Sequence, residues 1–172
     1  MANLSLDARQ LAKALKRRNV KVVFAESCTG GLIAATLAQV PGISDWLCGS
    51  AVTYRSDTKR QWLGVSGENL IRRGPVSATI AREMAVGVLD KTREADWSAS
   101  VTGHLGPAAP RRLDGVVYIG IARRHQTQPV AAPIHVRATR HVLAAGTRVH
   151  RQRGAAALVM QQLLAAIGQH DR

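Results

Sequence analysis

A chain of 172 residues suffices for one domain with a sizeable core, and a second domain would be cramped, so residues 1–172 are read as a single unit. Hydrophobic residues make up 46% and the mean hydropathy is −0.06, which reads as globular, and no apolar run approaches the ~18 residues of a membrane span. The formal charge of +13 invites nucleic-acid binding, yet the basic pairs (Arg17-Arg18, Arg72-Arg73, Arg111-Arg112, Arg123-Arg124) are scattered and aromatics are only 3%, too few to stack single-stranded bases. Most of the charge therefore reads as solvated surface and a field that attracts small anions.

The N-terminal segment sets Leu4, Leu6, Leu11 and Leu15 among Asp7, Arg9, Lys13 and Lys16. That spacing predicts an amphipathic helix over Leu4–Arg18 rather than a signal peptide, and Asp7 argues against a mitochondrial presequence. Cys28 and Cys48 form no disulfide framework, and no Cys/His spacing matches a zinc site, so the default is a reducing cytoplasm, with no metal and no cofactor.

Lys21–Phe24 is the first expected strand, and Leu32–Gln39 a helix that stops at Val40-Pro41-Gly42. Between them lies Ala25-Glu26-Ser27-Cys28-Thr29-Gly30-Gly31. Such a turn offers hydroxyls and backbone N–H groups to a phosphate or a developing oxyanion, with the N–H groups around Gly30 as its donors; equally, Ser27 and Thr29 serve as plain helix caps. Trp46–Tyr54 predicts a second strand, followed by a short helix starting near Lys59. Ser77 is placed as the N-cap of a long helix to about Thr92, and Trp97–Thr102 as a buried third strand that breaks at Gly103-His104-Leu105-Gly106-Pro107. Gly115–Ala122 and Pro129–Val136 are β-rich runs whose polar connection, Arg123–Gln128, fits a hairpin. From Ala138 to Ile167 the pattern is helical, bent near Gly146 and Gly154.

Strands alternating with helices, then a hairpin, predict a three-layer α/β/α sandwich around a mostly parallel mixed sheet of about five strands, one of them antiparallel. Right-handed crossovers gather the loops after Phe24, Tyr54 and Thr102 at one edge. Ser27 there is a candidate nucleophile, and Lys59 a candidate base once desolvation lowers its pKa, with Tyr54 bridging the two or orienting the lysine. Lysines are few here beside the arginines, and an arginine cannot serve as a neutral base. Thr102, Gly103 and Gly106 flank the same pocket, and Arg148 is a candidate phosphate clamp. Surface charge for Lys59 and Arg148, and loop geometry for Thr102 and Gly106, are the alternatives without chemistry.

Glu26-Ser27-Cys28-Thr29-Gly30-Gly31, Val52-Thr53-Tyr54 with Lys59, Gly74-Pro75-Val76-Ser77, Thr102-Gly103 with Gly106-Pro107, and Gly115-Val116-Val117-Tyr118 together resemble the C-terminal domain of the CinA family, in that family's order. The resemblance implies an α/β/α sandwich that associates as a homodimer or larger homo-oligomer. It also implies hydrolysis of nicotinamide mononucleotide to nicotinic acid mononucleotide and ammonia, without metal. It makes Ser27 the nucleophile, Lys59 the base and Tyr54 its partner. Substrate is expected at Glu26, Thr29, Gly30, Gly31, Thr102, Gly103, Gly106 and Arg148. Three stretches depart from the family pattern: Ala108–Asp114 replaces a run of glycines, His104 a small or apolar residue, and Thr147 an acid, with the arginine expected at Gln152 falling at Arg151 or Arg153. A non-catalytic nucleotide-binding protein is the alternative reading, and nucleic-acid binding a third.

Overall fold

The computed structural model describes residues 3–124 and 134–169. Helix α1 (Leu4–Arg18) starts where the Asn3 side chain accepts the Leu6 N–H and ends where Asn19 turns left-handed, and it buries Leu4, Ala8, Leu11 and Leu15 along one stripe. Strand β1 (Val22–Glu26) is buried throughout and lies at the heart of a five-stranded sheet ordered β2-β1-β3-β4-β5. Its neighbours β2 (Leu47–Val52) and β3 (Trp97–Gly103) run parallel to it. Strand β4 (Val116–Arg123) is antiparallel to both β3 and β5 (His135–Val142), so it alone runs against the rest.

Side-chain alternation divides the core into two. Val22 and Phe24 join Trp97, Ala99 and Val101 under α1, α2 (Leu32–Leu37) and α6 (Arg148–Gly168). Val23 and Ala25 face α5 (Ala78–Lys91), which in turn packs against α3 (Ser56–Leu63) and α4 (Gly67–Arg73). Each fully buried side chain of the size of Phe24 contributes about 1.5–3 kcal/mol, so these faces hold the layers together. On the α5 side, β3 adds directional bonds: Ser98 Oγ donates to the Ala85 carbonyl at 2.7 Å and Ser100 Oγ to that of Ala81 at 2.6 Å. The helix can come this close because Gly120 of β4 lacks a Cβ, which would sit 2.3 Å from the Ala81 oxygen.

The hairpin stands, but its second strand is displaced from the expected 129–136. It occupies His135–Val142, with registers from Arg123↔His135 to Val116↔Val142, and residues 129–133 lie outside the described ones. The stretch from Ala138 to Val142, expected to be helical, is thus strand. Its alternating exposed and half-buried residues suit a sheet edge better than a helix face. The helix waits for Thr147, whose side chain accepts the His150 N–H, and it then runs through Gly154 without a break.

Candidate active site

Strand alternation sorts the residues at the end of β1. Glu26 continues the Val22–Phe24 side and turns toward α2, while Ser27 faces α3. The Glu26 carboxylate is fully buried and accepts the N–H groups of Gly31 (3.0 Å), Ile33 (3.1 Å) and Ala34 (3.0 Å) and the Ser50 hydroxyl (3.0 Å). It satisfies the orphan donors at the start of α2 and so takes the place that an anionic ligand would fill. The Gly30 N–H donates to the Ser27 carbonyl at 3.1 Å. The expectation that amides around Gly30 face an oxyanion is therefore corrected: Glu26 and the turn itself consume them. Glu26, Thr29, Gly30 and Gly31 do not line the adjoining cavity; they build the turn that carries Ser27. Gly30 and Gly31 serve it with φ of +62° and +97°, a region that side chains disfavour.

Ser27 is fixed to β3 by its N–H on the Val101 carbonyl (3.1 Å), and its hydroxyl oxygen lies 2.9 Å from Lys59 Nζ. Lys59 stands on α3 with only 2% of its surface exposed, and burial pushes its pKa down from 10.5 to about 8. The same nitrogen donates to the carbonyls of Thr53 (2.8 Å) and Tyr54 (3.4 Å). A neutral amine has two N–H bonds and one lone pair. Two carbonyls for the N–H bonds leave the lone pair for the serine proton, which is the arrangement a general base needs. Cys28 is a buried neighbour, its thiol pushed up to about 12 by burial, and so holds little thiolate.

The cavity beside this pair has a volume of about 270 Å³ and is lined by Ser27, Tyr54, Lys59, Thr102, Gly103, Gly106 and Arg148, along with His104, Ala108 and Ala109. Topology thus brings together most of the residues singled out in the sequence, with two placements, those of Tyr54 and Thr102, that differ from expectation. Tyr54 is 56% exposed and its hydroxyl accepts from Arg148 Nη2 at 2.7 Å, so the serine and lysine meet directly with no phenol bridging them. Thr102 Oγ1 donates to the Pro75 carbonyl at 2.8 Å, the third in a row after Ser98 and Ser100, which commits its proton to joining sheet and loop. Arg148 also donates to the Gly106 carbonyl at 2.8 Å, which uses two of its five N–H groups and leaves the others for a ligand.

The departures at the loop also have a shape. Ala108 holds φ of +62°, a left-handed conformation in which a Cβ is strained by roughly 1–2 kcal/mol. The sequence reading missed the role of Arg151, which forms a two-pronged ion pair with Asp114 at 2.7 and 2.8 Å. Gln152, standing where an arginine was expected, donates to the Thr29 carbonyl at 2.9 Å. Both pairings join residues far apart in sequence. The Arg-Gln dipeptide opening an amphipathic helix was the one signal available.

A three-layer α/β/α sandwich with a serine–lysine pair at the C-terminal ends of its parallel strands defines the class. A family model described as the CinA C-terminal domain matches residues 5–163, and the chain belongs to that family. A competence/damage inducible protein from Agrobacterium tumefaciens has the same fold with a TM-score of 0.82 and 30% identity, covering 96% of each chain. A CinA superfamily protein from Klebsiella pneumoniae superposes with a TM-score of 0.86 at 25% identity, over 97% of this chain and 99% of that one. Among curated sequences, a CinA-like protein of Thermosynechococcus vestitus is 45% identical over 115 residues, 65% of this chain and 27% of that protein. Another from Endomicrobium trichonymphae is 44% identical over 121 residues, 69% of this chain and 28% of that protein. The chain thus spans little more than a quarter of these relatives. Among the described residues no helix is long and apolar enough to cross a membrane.

Proposed function

We propose that this protein is a metal-independent amidohydrolase that deamidates nicotinamide mononucleotide to nicotinic acid mononucleotide and ammonia. The observation that carries the reading is the contact of Ser27 Oγ with a buried lysine amine whose pKa is lowered to about 8. Neutral Lys59 takes the Ser27 proton as Oγ attacks the carboxamide carbon. The protonated lysine returns that proton to the nitrogen as the C–N bond breaks, and ammonia leaves an acyl-serine. Water then attacks the ester, gives its proton to Lys59, and collapse restores Ser27 and releases the acid. Each proton removed is returned, so the cycle closes with serine, lysine and water alone.

The oxyanion falls to the amide of Cys28, which lines the cavity and donates to no backbone carbonyl among the described residues. Among the described residues the cavity lining contains no Asp or Glu, while the Arg148 guanidinium supplies positive charge, which favours a substrate carrying a phosphate. Ammonia release from nicotinamide mononucleotide, measured with a chelator present, tests the proposal. Release by the wild type and none by Ser27→Ala supports it. Calorimetric binding of the nucleotide with no ammonia released refutes the hydrolase reading in favour of a nucleotide-binding protein.

A further inference from the structure

The first two turns of α6 reach the loops that follow β1, β2 and β3 around the cavity. Arg148 holds Gly106 and Tyr54, Gln152 holds Thr29, and Arg151 holds Asp114. Only the last of these is an ion pair, and it stands outside the cavity lining. Arg151 is buried, and beyond the two bonds to Asp114 it donates to the carbonyls of Ala144 (3.2 Å) and Leu105 (3.4 Å). One guanidinium thus pins both ends of the Leu105–Asp114 loop and the turn before α6.

Gly106 leaves the space for it, and Gly115 flanks it. A Cβ on Gly106 would lie 2.9 Å from both Arg151 Nη1 and Asp114 Oδ1, and one on Gly115 would lie 3.5 Å from the Arg151 guanidinium carbon. Both glycines have positive φ, +65° and +72°. The loop so held contributes Gly106, Ala108 and Ala109 to the cavity wall and presents the carbonyl that orients Arg148. By contrast, Ser27 and Lys59 are held by β1, β3 and α3, which make no bond to Arg151 or Asp114.

We propose that Arg151 is a positioning residue: clasped to Asp114 between Gly106 and Gly115, it fixes the 105–114 loop on α6 and so sets how tightly the cavity holds substrate, leaving the serine–lysine chemistry alone. The kinetic part of this inference rests on the deamidase reading, whereas its structural part does not.

Two measurements on wild type, Asp114→Asn, Arg151→Gln and the double variant separate them. Asp114 is half-exposed and its amide is nearly isosteric, so that variant keeps the fold even where loss of the buried guanidinium unsettles it. Hydrogen exchange of the 104–116 amides is expected to accelerate about tenfold or more in each variant, with β1 and α5 amides unchanged. In ammonia release from nicotinamide mononucleotide, KM is expected to rise about tenfold with kcat within about threefold, and the double variant to be no worse than the poorer single one. Unchanged loop exchange in both single variants overturns the clasp, as does a fall in kcat at constant KM or full additivity of the two substitutions. A wild type that releases no ammonia counts against the deamidase reading, and loop exchange alone then decides the clasp.

Discussion

Two carboxylates hold the two sides of the cavity, and they do so by opposite means. Glu26 is fully buried, and takes four bonds from donors within 24 residues of it, three of them backbone amides. Asp114 is half-exposed and is held by one guanidinium 37 residues away. The side that carries the nucleophile is thus set by local backbone geometry inside a β–turn–α unit. The side that meets the rest of the substrate depends on one long-range side-chain pair. On the deamidase reading, chemistry is built into the frame, and affinity is attached to it.

The comparison is broken most severely at the nucleophile. Ser27→Ala is expected to lower ammonia release by about a thousandfold or more without loss of fold, because the hydroxyl is the only atom removed from a turn held by Glu26. Glu26→Ala attacks the frame instead. Three amides and the Ser50 hydroxyl lose a charged acceptor in a dry site, so urea denaturation should record a loss of about 3–5 kcal/mol. A loss as small as that of a surface substitution would place the rigidity of this side elsewhere.

Lys59→Met separates base from scaffold. Since the folded pKa lies below the unfolded value of 10.5, the unfolded chain binds the extra proton between about pH 8 and 10.5, and wild-type stability should rise with pH across that window. Below about pH 8 the cost of burying the ammonium is felt in full. The variant should lack this rise, seen by chemical denaturation at several pH values, and lose about 10²–10⁴ in kcat. The smallest effect belongs to the loop: Ala108→Gly relieves the left-handed strain at some entropic cost, for a net stabilisation of about 0.5–1 kcal/mol in thermal melts.

The same contrast explains what could be read in the sequence. Helix α1 was legible to the residue because its apolar stripe is local, and Ser77 was a recognisable start for α5 because a cap is local too. Ser27, Lys59 and Thr102 were singled out because right-handed crossovers gather strand ends at one edge, whereas Arg148 drew notice only as a guanidinium suited to phosphate. What the side chains bond to was less visible. Thr102 looks like a free hydroxyl until Ser98 and Ser100 show that its parity on β3 points it at the α5 side. Glu26 reads as a ligand group until the count of orphan amides on α2 shows where they go. Strand β5 was misplaced because His135–Val142 is an edge strand with no continuous apolar face, and α4 offered no pattern because it buries no residue. Of the Arg151–Asp114 pair, 37 residues apart, only the displaced arginine beside Gln152 gave a sign.

The central claim is that buried Lys59 acts as the base for Ser27, and the pH dependence of kcat/KM for nicotinamide mononucleotide tests it most directly. With Lys59 as the base, the rate climbs with unit slope and levels off above a pKa of about 8, the rising limb set by the free-enzyme lysine. A rate that is flat from about pH 6 to 9, or one governed by a group titrating near the ordinary histidine value of about 6.5, would contradict it.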